Sequence, residues 1–143
     1  MHTQVVAIKA SCAAVALLLA VACAKKESVP QAATVADVSL GRAVNRAQQV
    51  DVPTDTFAPM DSVFAAVKTE NTPAGTRILA RWVFTEGGTE QIVSEKEITT
   101  TQAGTGYTSF FIANPGPWPA GSYQVRIGLN GEIKEKKAFS VRG

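Results

Sequence analysis

The chain has 143 residues, of which 45% are hydrophobic and 18% are charged, with 14 basic and 12 acidic residues for a formal net charge of +2. This length allows one modest domain, and the balanced charge gives no concentrated basic surface of the kind that nucleic-acid binding uses. The composition also excludes an acidic or low-complexity disordered chain. Of the first 22 residues, 17 are apolar, which leaves about 40% for the other 121, an ordinary globular value.

The N-terminal segment predicts export. Lys9 precedes a run from Ala10 to Ala22 in which Ser11 is the one polar residue. This is the pattern of a secretory signal peptide, and the run is too short to span a bilayer comfortably. The run shows no amphipathic period that would favour a buried helix of the folded domain. The predicted organisation is a signal peptide at 1–22, a flexible tether at 23–36 and a folded domain at 37–143.

The residues from Leu19 to Cys23 resemble the lipobox of bacterial lipoproteins, in which a cysteine after small residues is acylated and becomes the mature N-terminus. Ala20 stands where most lipoboxes have leucine. The resemblance implies lipidation of Cys23 and, because Ala24 rather than aspartate follows, sorting to the outer membrane with the domain facing the periplasm. The alternative is ordinary cleavage directed by Ala20 and Ala22, which gives an exported soluble periplasmic protein.

The two cysteines favour the lipoprotein interpretation. Cys12 lies inside the cleaved segment, so the mature chain keeps only Cys23 and has no intramolecular disulfide. An unpaired exposed thiol is a liability in an oxidising compartment, whereas acylation consumes the thiol. Several acyl chains on one residue also supply the burial that stable membrane anchoring requires.

From residue 37 onward the pattern is that of short β-strands. Alternating apolar residues bounded by turn residues predict strands, and Asn130-Gly131 predicts a type I′ hairpin turn. The stretch 41–56 is predicted to be irregular, because its helix-compatible part is short and weakly patterned. The seven predicted strands contain or span Val38 to Leu40, Ser62 to Thr69, Arg77 to Phe84, Gln91 to Ile98, Tyr107 to Ala113, Tyr123 to Leu129, and Ile133 to Val141.

Seven such strands predict an all-β fold, a seven-stranded antiparallel sandwich. Trp82 in the third strand and Tyr123 at the start of the sixth resemble the core tryptophan and the corner tyrosine of immunoglobulin-like domains. Val125 occupies the position of the second cysteine, so the pattern is similar to fibronectin type III and other cysteine-free immunoglobulin-like modules. The run from Trp118 to Val125 also resembles the C-terminal part of bacterial envelope lipoproteins, a resemblance that specifies a fold and not a function.

Catalytic machinery is poorly supported. The only histidine, His2, is lost with the signal peptide, which excludes Ser-His-Asp and Cys-His catalysis and the usual zinc, copper and haem ligands. Glu95 and Glu97 are two residues apart on a predicted strand and therefore share a face. The two carboxylates could serve in catalysis, but a solvent-exposed face of the strand is the interpretation that we favour. No enzyme activity, metal or cofactor is predicted.

Two charged groups have competing interpretations. Asp51, Asp55 and Asp61 are conceivable calcium ligands, but their spacing matches no EF-hand loop and neighbouring prolines favour turns. The final strand carries Lys134, Lys136 and Lys137 among glutamates, which predicts protection of a sheet edge rather than a polybasic site.

Trp118 and Tyr107 are the candidate binding residues. An exposed indole between Pro117 and Pro119 would stack on a sugar or anchor a partner. A buried Trp118 would instead cap one end of the core, which is the interpretation that the nearby Tyr123 favours.

The leading functional hypothesis is a non-enzymatic, lipid-anchored envelope protein. Its sandwich is expected to bind another envelope component through loops or an exposed sheet edge. The alternatives are a glycan-binding module that uses Trp118 or Tyr107, and a protease-inhibitor-like domain that uses the loop 114–121. The expected partners are the membrane, through Cys23, and a second envelope protein; glycan stays open and nucleic acid is not expected.

Overall fold

A computed structural model describes residues 31–143, so the predicted signal peptide and Cys23 lie outside the described residues. The first strand begins at Thr34, inside the segment expected to be tether, because Ala33 and Val35 already pack against the core. The eight strands are β1 (Thr34–Gly41), β2 (Thr56–Phe57), β3 (Val63–Thr72), β4 (Arg77–Phe84), β5 (Gln91–Thr99), β6 (Gly104–Ile112), β7 (Gly121–Leu129) and β8 (Glu132–Val141).

The strands form two sheets, with orders β1-β3-β6 and β2-β8-β7-β4-β5. The all-β prediction is confirmed, and each of the seven predicted strands is present. The count of seven is wrong, because the chain crosses between the sheets and adds β2 to the larger one. Phe57 is almost fully buried there, and two residues are too short to show a period in sequence. The β2–β8 pairing is parallel, so the prediction of a wholly antiparallel fold is also wrong; the other pairings are antiparallel.

The strand order is that of an immunoglobulin-like sandwich. β1, β3 and β6 take the places of strands A, B and E, while β4, β7 and β8 take those of C, F and G. β5 pairs with β4 rather than joining the smaller sheet, so it occupies the C′ position. This arrangement leaves β5 and β6 as free edges on the same side of the sandwich.

Aromatic side chains occupy the centre of the core. Trp82 on β4 lies edge-on to Phe139, with ring centroids 5.9 Å apart, and Tyr123 on β7 stacks on the same ring at 5.2 Å. Val125, at the position of the missing cysteine, is fully buried. All three rings come from the larger sheet, and their burial in the core stabilises the sandwich by removing apolar surface from water.

Residues 42–55, here called the strap, fold back over the outer face of the smaller sheet. The Asn45 side-chain oxygen accepts hydrogen bonds from the amides of Ala47 at 2.8 Å and Gln49 at 3.1 Å, which shapes the turn. Ser109 of β6 donates to the Gln48 side chain. Ala66 belongs to the outer face by register, yet it is only 1% exposed. The irregular stretch predicted from sequence therefore covers a sheet face.

The two ends of the sandwich differ, and we call them the entry pole and the far pole. The chain enters the domain at the end of β3, where Asn71 donates a hydrogen bond to the Gln31 side chain at 3.1 Å. The hairpin turn at Asn130 lies at the same end, because its side chain accepts from the amide of Arg77. The far pole holds the opposite ends of the strands, including Phe84, Ile112 and Gly121.

Candidate interaction surface at the far pole

The loop from Asn114 to Ala120 is fixed to the body of the domain through Trp118. The Trp118 backbone amide donates to the Pro59 carbonyl at 2.7 Å, and the indole Nε1 donates to the Asp61 carbonyl at 3.0 Å. The side chain is 9% exposed and lies edge-on to Tyr123. This is the position expected of a residue that caps the core, and both hydrogen bonds tie the loop 114–121 to the body of the domain.

Tyr123 forms the tyrosine corner of the fold. Its hydroxyl donates a hydrogen bond of 2.6 Å to the carbonyl of Pro119, four residues upstream. Burial raises the pKa of the Tyr123 phenol above its ordinary value, because the phenolate would lose hydration. The neutral hydroxyl is therefore the stable form, and it is the form that can donate this bond.

A groove lined by both polar and apolar groups runs beside Trp118, between the free edges of β5 and β6. It consists of two adjoining hollows of about 430 and 350 Å³, which share Val93, Asn114 and Trp118. We call it the edge groove. Its main lining residues are Phe84, Ile92, Val93, Phe111, Asn114 and Trp118.

Two large apolar side chains stand exposed at the rim of the edge groove. Phe111 on β6 is 59% exposed, and Ile92 on β5 is 58% exposed. Phe111 stacks on Phe64 of β3 at 5.3 Å, so its ring is held on the outer face of the sheet. Exposed apolar residues that flank a groove are typical of interaction sites.

The two binding candidates from sequence do not come together. Tyr107 is partly exposed on the outer face of β6, opposite Lys68, and lines a separate hollow with Thr69 and Thr72. Four residues separate it from Phe111, about 13 Å along the strand, and Trp118 lies beyond that. The pair therefore provides no shared stacking platform.

The outer face of the larger sheet is charged. Glu95 accepts from Arg81 Nε at 2.6 Å, and Glu97 lies 3.8 Å from Arg77, so each carboxylate has a cationic neighbour. Arg126 forms a two-pronged ion pair with Glu90 and lowers the pKa of that carboxyl, mainly through the hydrogen bond. This face has the character of the solvated surface expected for the two glutamates.

The three aspartates point to different partners. Asp51 accepts from Asn45 at 2.8 Å, and Asp55 accepts from Thr56 at 3.2 Å. Asp61 accepts from the amide of Ala58 at 2.8 Å and from Arg42 Nε at 2.7 Å. These bonds, the amide first, lower the pKa of the Asp61 carboxyl. In residues 31–143 no group of three potential ligands converges on a metal position.

The predicted role of the lysine-rich strand β8 in edge protection places it at the edge of its sheet. In the structure the short strand β2 lies outside it. β2 pairs with its last residues, Ser140 and Val141. The lysines precede that contact, on a part of β8 that has β7 on one side and no described strand on the other. They protect that part of the edge, and the short β2 covers the rest.

Sequence reasoning missed Phe111, Phe64 and Ile92. Phe110-Phe111-Ile112 is an unbroken apolar run, so no alternation marks its middle residue as exposed. The pairing of Phe64 with Phe111 across β3 and β6 shows which residue of the run points outward. Within the part of the chain that is described, no helix is long and apolar enough to cross a bilayer.

The strand order defines the chain as an immunoglobulin-like β-sandwich. The chain resembles part of the alkylpurine DNA glycosylase AlkC of Pseudomonas fluorescens, in a structure bound to DNA containing an abasic site analog, with a TM-score of 0.54 and 10% identity over 78% of this chain. It spans only 30% of the AlkC chain. The C-terminal domain of Wzt gives a TM-score of 0.52 and 10% identity, over 78% of this chain and 74% of that domain.

An immunoglobulin-like protein of Pseudomonas aeruginosa gives a TM-score of 0.47 and 14% identity, over 79% of this chain and 98% of that one. No protein-family model and no curated protein sequence matches the chain. At identities this low, the similarity to solved structures concerns the fold alone.

Proposed function

We propose that the protein is a non-enzymatic, lipid-anchored component of the bacterial cell envelope, whose sandwich binds another envelope protein through the edge groove. The observation that carries the proposal is the pair of exposed apolar residues, Phe111 and Ile92, at the rim of a groove with Trp118 in its lining. Binding buries such apolar surface and gains free energy from its removal from water.

The chemistry of the groove supports binding rather than catalysis. Among the residues that line it, Tyr123 is the one with a titratable side chain, and its hydroxyl is engaged with Pro119. Its raised pKa keeps that hydroxyl neutral. General acid–base catalysis needs a group with a pKa near the working pH, which this lining does not supply.

The N-terminal sequence supports anchoring. Acylation of Cys23 would fix the chain to the outer membrane, and the residues up to Ala33 would give the domain its reach. The chain enters the sandwich at the entry pole, so the edge groove would lie at the end farther from the lipid. An exported protein that escapes acylation would present the same groove as a soluble periplasmic protein.

Site-specific photo-crosslinking in intact cells tests the contact surface. A photoreactive residue replaces Phe111 or Ile92 in the full-length chain, with Glu132 at the entry pole as the control position. The expected result is one discrete envelope-protein adduct from both rim positions, absent from the control position. The Ile92→Ser substitution should remove the adduct formed at Phe111.

Adducts that form equally at Glu132, or no protein adduct at either rim position in the folded, exported chain, would overturn the proposed contact surface. Circular dichroism of each purified variant confirms that the sandwich is intact, so that a missing adduct reports on the surface and not on folding.

A further inference from the structure

The turn at residues 58–61 joins β2 to β3 at the far pole and is closed by two hydrogen bonds. The Asp61 amide donates to the Ala58 carbonyl at 3.0 Å, and the Asp61 carboxylate accepts from the Ala58 amide at 2.8 Å. Pro59 holds its own φ near the value that the second position of a turn requires. The third position, Met60, therefore projects from a backbone that is fixed on both sides.

The same turn holds Trp118 in place. Pro59 and Asp61, the neighbours of Met60 in the chain, supply the carbonyls that accept from the Trp118 amide at 2.7 Å and from its indole Nε1 at 3.0 Å. Trp118 in turn lines both hollows of the edge groove. Met60 is therefore one residue away from each hydrogen bond that fixes this wall of the groove.

The side chain of Met60 is accessible to solvent and to a partner. It is 66% exposed, more than Phe111 or Ile92 at the rim. In residues 31–143 one other large apolar side chain is more than half exposed, Val52 on the strap. A flexible thioether adapts its shape to an opposing surface. Met60 is thus suited to extend the contact surface beyond the two rim residues.

From this position we infer that Met60 is a third contact residue for the partner protein, and that oxidation of its sulfur weakens the binding. The inference rests on the proposed function, because it assigns Met60 and its oxidation to the same contact surface.

The oxidation is a two-electron reaction with hydrogen peroxide. The peroxide transfers one oxygen atom to the thioether sulfur of Met60, so the sulfur is oxidised to a sulfoxide and the peroxide is reduced to water. The polar sulfoxide would lose hydration when the partner covers it, at a cost in binding free energy. Methionine sulfoxide reductases restore the thioether, so the change is reversible.

Met60 is also the one methionine of the predicted mature chain. The sequence holds two methionines, Met1 and Met60, and Met1 lies in the predicted signal peptide. Methionine oxidation would therefore act on the mature protein at a single place, beside the loop that carries Trp118.

Photo-crosslinking in intact cells tests the inference, with the photoreactive residue at Phe111 and the yield compared before and after treatment with hydrogen peroxide. The envelope-protein adduct should be lost in step with the conversion of Met60 to its sulfoxide, which peptide mass spectrometry measures. A photoreactive residue placed at Met60 itself should capture the same envelope protein.

Two substitutions separate the oxidation of Met60 from other effects of peroxide. Met60→Leu keeps the volume and apolar character without the sulfur, so its adduct yield should match that of the wild type and should resist peroxide. Met60→Gln places a polar amide at the same position and should bind the purified captured protein about tenfold more weakly without peroxide. Val52→Gln, the matched exchange on the strap, should bind like the wild type.

The inference is overturned if the adduct from Phe111 survives full oxidation of Met60, if Met60 captures no protein, or if Met60→Gln binds as tightly as the wild type. An equal loss of adduct in peroxide-treated Met60→Leu would also overturn it. Unfolding of the oxidised sandwich, measured by circular dichroism, would assign the loss to the fold and would overturn the contact role of Met60.

These outcomes are distinguishable from failure of the proposed function. Adducts from Phe111 and Ile92 in untreated cells that persist after oxidation of Met60 would retain the contact surface and reject the role of Met60. Absence of both adducts in untreated cells would reject the contact surface itself.

Discussion

At the scale of single residues, the far pole depends on a few hydrogen bonds to backbone carbonyls. Asp61 and Pro59 accept from Trp118, and Pro119 accepts from Tyr123. A buried acceptor that loses its donor keeps the cost of its lost hydration, so each bond is worth more than its net contribution to folding suggests. These bonds position the wall of the edge groove.

Tyr123→Phe tests the tyrosine corner. The substitution keeps the ring in the core and leaves the Pro119 carbonyl without its donor, so the free energy of unfolding should fall by about 1 to 2 kcal/mol. Urea denaturation measures the change. Tyr107→Phe is the matched control, because the Tyr107 hydroxyl bonds to none of the described residues. An equal loss in both variants would contradict the role of the corner.

Asp61→Asn tests the charged bond at the same pole. The Asp61 carboxyl has a lowered pKa in the folded protein, so its contribution is fully present above the ordinary value of 3.8 and is lost as the pH falls toward the folded value. The variant should be less stable by about 1 kcal/mol at neutral pH and should lose less stability on acidification. Denaturation curves between pH 7 and about pH 2.5 measure both effects.

Asp55→Asn is the control for that series, because within residues 31–143 the Asp55 side chain accepts only from the neighbouring Thr56 hydroxyl. If the free energy of unfolding fell equally with pH in the wild type and Asp61→Asn, the hydrogen bonds from the Ala58 amide and Arg42 would not stabilise the carboxylate as described.

At the scale of elements, a strand could be predicted from the sequence where apolar and polar residues alternate along it. Strands such as Tyr123 to Leu129 alternate between buried apolar and outward residues, so their existence and inward faces followed directly. β2 and the strap have no such period. β2 is two residues long. Within the strap, Asn45 shapes the turn, while Gln48 and Val50 hold it against the sheet at Ser109 and Gly41.

The candidate site shows the same limit. Its residues come from β4, β5, β6 and the loop before β7, and no local pattern relates them. Trp118 was predictable as a cap because Tyr123 follows it closely in a known type of corner. Phe111 was not, because it lies in an apolar run whose outward member is set by pairing with β3.

Gly41→Ala tests the strap as an element. A Cβ at Gly41 would lie 2.5 Å from Val50 Cγ1 and 3.1 Å from the Val52 carbonyl oxygen, so the strap would have to move. Overpacking of this kind should lower the free energy of unfolding by about 1 to 2 kcal/mol and speed amide exchange around Gln48. Gly106→Ala is the control, since a Cβ there meets open space. Unchanged exchange in Gly41→Ala would show that the strap does not pack as described.

At the scale of the whole molecule, the two outer faces of the sandwich differ in chemical character. The outer face of the larger sheet carries paired charges over buried residues such as Val83, and surface pairs of this kind add little stability while keeping the face solvated. The smaller sheet is covered by the strap and exposes the Phe64–Phe111 pair beside it. The exposed side chains beside the edge groove, Phe111 and Ile92, thus lie on one side of the far pole.

Cys23→Ser tests the anchor of the whole protein. We expect the wild-type chain in the membrane fraction, with a mature N-terminus whose mass includes acyl chains, and the variant in the soluble fraction or retained as an uncleaved precursor. Cell fractionation and intact-mass spectrometry measure the two properties. Cys12→Ser should behave like the wild type, because that residue lies in the predicted signal peptide. A free thiol at Cys23 in the mature wild-type protein would contradict the lipoprotein assignment.

The direction of β1 has a mechanical consequence for an anchored protein. β1 runs from the entry pole to the far pole and pairs antiparallel with β3 along almost its whole length. With the lipid at one pole and a partner held at the other, tension between them would act along the strands. The β1–β3 hydrogen bonds would then share the load in shear instead of opening one after another. Resistance to such pulling is governed by the unfolding rate, so in a protein anchored and bound as proposed the sandwich would unfold slowly under load.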